Sequence, residues 1–419
     1  MKIIRRPVQL AATIVLLAWW GSIGASAADI VWTNTVGGRW SDAANWAPNQ
    51  VPSIDDTALI TQSGVYTVTV NASNAVGGLV VGGSGGTQTV DVSSTLRIEG
   101  AGHIAAAGHL LLSGTLGGSA LLQLSGGMTW SGGKIDSNAA VVVNPGGQLT
   151  ISSAYAYTKF LQGALTNAGT VLFRGNGNLQ IGGVLHNQSG GLFDIQTDYN
   201  IGLSGSAGRI ANEGLLRKSS GTGATDCAVP IENCGTVDVQ SGILTFPGGS
   251  VMRDGSGFTG AGSTRLESGV VVLSGVVTSE NLVVGGAALD GGGSLGGTAF
   301  WESGSIATNG ALTVASNGLL VIESKYSFTK FVHGALTNAG TVLFRGNGNL
   351  QIGGVLHNRS GGLFDIQTDY DIGLSGGAGR IANEGLLRKS SGTGATDCAV
   401  PIENCGTVDV QSGILTFPG

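Results

Sequence analysis

The chain has 419 residues, a net charge of −6, 75 glycines and only 11% charged residues, against a hydrophobic share of 42%. An acidic chain with few aromatics and no basic run excludes a nucleic-acid partner and disfavours attraction to an anionic membrane surface. Glycine without a three-residue period excludes collagen, and the apolar share is too high for a disordered chain.

The N-terminus reads as an export signal. Lys2, Arg5 and Arg6 precede an apolar run from Val8 to Trp20, and Ala25–Ser26–Ala27 offers a small-residue cleavage site. Residues 1–27 carry three basic side chains and no acidic one, so their removal takes the net charge from −6 to −9. No later stretch is apolar enough to span a bilayer, so the mature chain is not expected to insert in a membrane.

Residues 28–80 are expected to form an N-terminal cap. Trp32, Trp40 and Trp46, three of seven tryptophans, fall here. Either they plug the open end of a stack of strands, where edges need covering, or they form an aromatic platform for glycan binding.

Residues 81–419 read as one solenoid, with duplicated blocks near 128–248 and 299–419. Thr158–Gly248 and Thr329–Gly419 differ at five positions only: Leu161/Val332, Gln162/His333, Gln188/Arg359, Asn200/Asp371 and Ser206/Gly377. Upstream the copies diverge, but Trp130/Trp301, Gly133/Gly304 and Ile135/Ile306 keep the offset. Inside the block, LTNAGTVLF, LHNQSGGLFDI, IANEGLLRK and IENCGTVDV share an apolar residue, an asparagine, a glycine and then alternation. The asparagines are Asn167, Asn187, Asn212 and Asn233. A period in this range marks a solenoid. Asn and Gly accept a left-handed backbone, so the asparagines are expected at turns. The alternation after each glycine marks half-buried strands. Val171 and Phe173, Phe193 and Ile195, and Val237 and Val239 should then form one apolar column. The fold class is all-β: a single elongated parallel β-helix with a Trp-rich N-terminal cap. At about 22 residues per coil and ~4.8 Å between strands, it makes roughly 18 coils and about 85 Å. The chain stops at Gly419, where the first copy continues GSVMRDGSGF; the end is expected to fall mid-repeat, with an anchor or further domain beyond it.

The run W…GGRWSDAANW…VPSIDDTALI, followed by YTVTVNASNAVGGLVV, resembles the start of large secreted bacterial repeat proteins. ALTNAGTVLF, LLRKSSGTGAT and GTVDVQSGILTF resemble the β-solenoid repeats of surface and autotransporter-like passengers. The resemblance implies secretion and a rod-like fold, and says little of activity. A C-terminal β-barrel translocator, a sorting signal and a hydrophobic anchor are absent from the sequence.

Four cysteines form two matched pairs, Cys227/Cys234 and Cys398/Cys405. Copies about eight coils apart stand roughly 38 Å from each other, too far for a cross-block disulfide or a shared zinc site. Two local disulfides are expected in a secreted chain, with free buried thiols as the other reading. Lys218 falls where neighbouring coils place Phe173 and Val239. The expectation is that the strand ends there and the amine reaches outward beside Arg217; a catalytic or carboxylate-binding lysine is the other reading. Its copy is Lys389 beside Arg388. Asp194, Asp198 and Asp226, with Asp365, Asp369 and Asp397, are the acidic candidates, and a solvated strand face accounts for them. His103/His109 and His186/His357 lack a zinc motif. No catalytic residue, metal or cofactor is assigned.

Function is expected to be that of a non-enzymatic, secreted or cell-surface rod, structural or adhesin-like. Its partners would be glycans or host and cell-surface components, and the sequence sets no oligomeric state. A polysaccharide lyase or hydrolase on the same fold, or a glycan-binding module, are the alternatives.

Overall fold

The computed structural model describes residues 27–119 and 121–418. The export segment expected at 1–27 lies outside the described residues except for Ala27. The chain forms a single β-solenoid of about 17 turns, and no described helix is long and apolar enough to cross a membrane.

A regular coil is made of three short strands, each pairing in parallel with the third strand after it. Ala164–Asn167, Thr170–Phe173 and Leu179–Ile181 make one coil; Val184–Asn187, Leu192–Ile195 and Ile201–Leu203 make the next. Ala164 stands over Val184, Val171 over Phe193 and Leu179 over Ile201. Three parallel ladders therefore run along the three faces of the rod. Successive side chains of a strand point to opposite faces, so every second residue enters the interior. Val171, Phe173, Phe193, Ile195, Val237 and Val239 are buried in one continuous core, as the alternation predicts. Burial comes from the neighbouring coil: Phe246, with a coil on each side, is 1% exposed, while its copy Phe417 is 41% exposed.

Stacking begins inside the segment read as a cap. Asp29–Trp32 pairs in parallel with Thr57–Ile60, which pairs with Gly78–Val81. Capping is confined to a shorter piece. Trp46–Ala47 folds back against Val31 and Trp32 in the one antiparallel pairing among the described residues.

Between the two near-identical stretches, 158–248 and 329–419, the corners change character. Val270–Val284, Ala288–Trp301 and Ala311–Ile322 run as long strands that turn corners without a loop. Gly275 (φ +75°) and Gly297 (φ +72°) take bends in a left-handed backbone that other residues seldom adopt.

The asparagines stand at strand ends beside the corners, but without the left-handed backbone expected of them. Among the described residues no non-glycine residue has positive φ. Asn167, Asn187, Asn212 and Asn233 end their strands with negative φ and turn their amides inward, where all four are buried. The glycines after two of them, Gly214 and Gly235, are needed for close stacking rather than handedness. A Cβ on Gly214 would strike the Gln188 carbonyl oxygen, and one on Gly235 that of Gly214.

Candidate functional site

The stacked asparagine amides form a ladder. Asn167 Nδ2 donates to Asn187 Oδ1 at 2.7 Å, Asn187 Nδ2 to Asn212 Oδ1 at 2.8 Å, and Asn212 Nδ2 to Asn233 Oδ1 at 2.7 Å. Each also donates to a backbone carbonyl of the coil it enters: Leu192, Leu215 and Thr236. Asn338, Asn358, Asn383 and Asn404 repeat the arrangement. An amide carries both a donor and an acceptor, so one residue type can tile indefinitely along the axis.

The charged candidates gather one strand further along. Lys218 stands in register with Ile195 on one side and Val239 on the other, and Ile195 is in turn paired with Phe173. It is therefore a core position, and the lysine is fully buried rather than reaching out to solvent. The strand Leu215–Lys218 ends at this residue as expected, but the amine stays inside because the neighbours satisfy it from within. The three N–H groups of Nζ are surrounded by four acceptors within hydrogen-bond distance, Asp198 Oδ1 (2.8 Å), Thr197 O (3.0 Å), Thr225 Oγ1 (3.0 Å) and Ser220 O (3.2 Å). A buried ammonium is tolerated when paired and hydrogen-bonded in this way. The Lys218 hydrogen bond holds the Asp198 carboxyl below the usual carboxylate range. Lys389 makes the same four contacts.

Beside it, Asp194 is buried, and Arg217 grips it through Nη2–Oδ2 at 2.8 Å and Nε–Oδ1 at 3.2 Å. Burial pushes the Asp194 carboxyl up, but Arg217, Gln196 and Ser219 outweigh it and hold the group below its ordinary range. A two-pronged ion pair of this kind fixes geometry. Asp226 accepts from Thr245 Oγ1 at 3.2 Å on the outer face. Each acidic candidate is thus tied to its own partner, and no two of them converge on a shared cleft. His103 and His109 each reach a hydroxyl of the next coil, Ser125 and Thr129. Among the described residues no group of three or more His, Cys, Asp or Glu is placed to hold a metal.

Lys159 and Lys330 are further buried lysines, which repeat counting alone does not single out. In Lys-Phe-Leu the inward positions are Lys159 and Leu161, so Phe160 is turned outward. The Lys159 amine meets the Asn176 carbonyl, and Lys330 meets that of Asn347. Burial pushes both amines down, to about 8. A lysine ordinarily titrates near 10.5, so between about pH 8 and 10 the unfolded chain binds more protons than the folded one, and stability rises with pH. The buried Cys227 and Cys398 thiols, pushed above their ordinary range, oppose this as pH passes the usual thiol value. Urea midpoints are therefore expected to climb from about pH 8 to 9 in the parent and to fall in a Lys159→Met/Lys330→Met variant; a falling midpoint in the parent would contradict this.

The four cysteines are free, which corrects the disulfides expected for Cys227–Cys234 and Cys398–Cys405. Cys227 bridges to Ile201 and points into the core, with its thiol against Val229 O. Cys234 comes directly after the strand Ile231–Asn233 and is exposed, so the two thiols leave the wall on opposite sides. Burial pushes the Cys227 thiol up to about 12. Iodoacetamide should therefore label Cys234 and Cys405 in the native protein, and Cys227 and Cys398 only after denaturation without reductant. Failure of the second pair to label in denaturant would restore the disulfides.

Trp32, Trp40 and Trp46 are fully buried. Trp46 meets Trp32 at a centroid distance of 4.9 Å and 89°, and Trp40 at 4.9 Å and 68°. Edge-to-face packing of buried rings leaves no ring face free, so the cluster closes the rod end and offers no platform to a glycan.

Comparisons with known proteins add one distant likeness. No protein-family profile matches the chain, and no solved structure matches it. Over 329 residues, 70% of this chain, it is 27% identical to Outer membrane protein A of Rickettsia rickettsii. The matched part is 13% of that protein, so the chain corresponds to a small share of its relative's length. The β-solenoid and this likeness fit a structural, surface-type role.

Proposed function

We propose that the chain is an exported rod displayed at a bacterial cell surface, adhesin-like or passenger-like, whose work is length, stiffness and a repeated lateral surface. The observation that carries this is continuity. Parallel register runs from Asp29 through both blocks to Val410, with no break at which a separate catalytic unit is inserted. The acidic and basic side chains singled out in the sequence are used to stabilise coils, which speaks for a wall rather than an enzyme. The likeness to a rickettsial outer membrane protein supports display at the surface, and the Lys2–Ala27 pattern supports export.

The test is placement. In the source bacterium, producing the protein from its native gene, an antibody raised against residues 28–419 should label intact cells, and deletion of residues 1–27 from that gene should abolish the labelling. Labelling that appears only after permeabilisation would overturn the surface reading. Beads coated with residues 28–419 should be retained on a glycan-bearing cell layer more than albumin-coated beads; equal retention would remove the adhesive part and leave the rod. Repeated weak contacts along one body gain avidity, so retention should rise steeply with coating density.

A further inference from the structure

The flank of the rod carries a groove of about 570 Å³ between the turn at Ser131–Gly132 and the loop Ser152–Thr158. Its walls include Tyr155, Tyr157 and Phe160, which are 69%, 60% and 38% exposed. The two tyrosine rings stand 5.6 Å apart and 49° to each other. Phe160 faces out because Lys159 and Leu161 take the inward positions of its strand. Ser113, Ser131 and Ser153 contribute the hydroxyl-bearing edge, and no Asp, Glu, Lys or Arg lines the groove.

Both walls are held rigidly. The Tyr155 N–H donates to Ser153 Oγ at 3.1 Å, and Asn176 Nδ2 of the next coil donates to Ala154 O at 2.7 Å. On the other side Trp130 Nε1 donates to Gly132 O at 2.8 Å. Apolar faces held open to water are not explained by packing.

The second block supplies an internal comparison in a stretch where the copies have diverged. Neighbouring positions change freely: Asp136/Ala307, Gln148/Leu319, Thr150/Val321, Ser152/Glu323 and Ala154/Lys325. The exposed rings do not. Tyr155 is matched by Tyr326 and Tyr157 by Phe328, again 5.6 Å apart, with Ser324 Oγ accepting from the Tyr326 N–H. Core positions persist because the fold needs them; these exposed positions have no such reason.

We infer that the Tyr155–Tyr157–Phe160 groove binds a neutral saccharide. A sugar ring presents an apolar face that lies on an aromatic ring and hydroxyls that meet serine and backbone groups at its edge. An anionic or cationic ligand would enter a groove without a countercharge and lose hydration unrepaid. The second site is altered: Lys325 Nζ lies 5.9 Å from the Tyr326 ring centre, and Glu302, in the place of Ser131, is paired with Arg265. The ring there is already occupied by the chain's own cation, so the first site is the stronger for neutral sugar. The inference stands whether or not the rod is displayed on a cell.

Affinity electrophoresis of residues 28–419 through gels containing dextran, mannan, galactomannan or arabinoxylan, with polygalacturonate as the charged comparison, tests this. At least one neutral polysaccharide should retard the protein. The Tyr155→Ala/Tyr157→Ala variant should bind it at least tenfold more weakly with an unchanged circular dichroism spectrum, and Tyr157→Phe should retain binding. Lys325→Ala should strengthen binding two- to threefold by uncovering the second ring. Retardation by polygalacturonate alone, or binding indifferent to the double substitution, would overturn the inference. So would self-association by sedimentation, abolished by the double substitution, in a protein that no neutral polysaccharide retards.

Discussion

Trp46→Ala is expected to unfasten the N-terminal coils, lowering their stability by about 3–5 kcal/mol, the range for truncating a large buried aromatic. Trp46 is the middle ring of the three, touching both Trp32 and Trp40, and its Nε1 donates to Trp40 O at 2.8 Å. Removing it opens a cavity beneath the first ladder and frees the antiparallel return strand. In a solenoid stability is a sum of nearest-neighbour terms, so the loss should be local. Amides of Ile30, Ala58 and Ile60 should exchange far faster, while those around Val342 and Phe344 keep their protection. Trp46→Phe should recover about half of the loss. Uniform loss along the whole rod, or none at the first coils, would contradict the cap assignment.

Asn187→Ala is expected to cost about 2–4 kcal/mol in the coils around it. The substitution leaves Asn212 Oδ1 and Leu215 O without the Asn187 donor and takes the Oδ1 acceptor from Asn167 Nδ2. A buried group left unsatisfied costs about 1–3 kcal/mol. Asn233→Ala should cost less, about 1–2 kcal/mol, because Asn212 Nδ2 keeps Thr236 O at 3.3 Å. Asn187→Asp should be worse than Asn187→Ala, since a carboxylate cannot donate to Asn212 and brings a charge into the core. Urea unfolding with exchange protection of the 184–218 strands measures all three. Equal effects of Asn187→Ala and Asn233→Ala would mean that the amides do not act as a chain.

The architecture is legible in the sequence because it rests on local information. Alternation places Val171, Phe173, Val237 and Val239 inside, and the asparagine–glycine spacing sets the length of a coil. What is not legible depends on the coil next door. Lys218 falls correctly at a core position by its register, but Asp198 and Thr197, which make that position tolerable, belong to the preceding coil. Conformational preference puts the asparagines at the corners, where they are, but it cannot show the inward amide ladder, which depends on identical residues stacked above and below. Cys227 and Cys234 are near in sequence yet leave opposite sides of one wall. Lys159 is within reach of sequence reasoning: in Lys-Phe-Leu the pattern that keeps Leu161 inside also buries the lysine and turns the phenylalanine out. The tryptophans are recognisable as an end closure, and the aromatic surface that stays open is instead the one around Tyr155.

The ladder has a beginning and an end. Asn167 Oδ1 accepts from the Gly169 N–H at 3.1 Å, and Asn233 Nδ2 donates to Gly235 O at 3.2 Å, so the chain of amides terminates on its own backbone at both ends. The second ladder closes likewise, on Gly340 and Gly406. Each near-identical stretch, 158–248 and 329–419, holds one complete set of four. Eight coils separate the equivalent strands at Ala164 and Ala335, about 38 Å along the axis. Recombination between two such similar stretches would insert or excise a segment whose polar groups are already satisfied within it. Rods of different alleles should then differ in steps of about 38 Å, with no intermediate lengths, and carry whole ladders only.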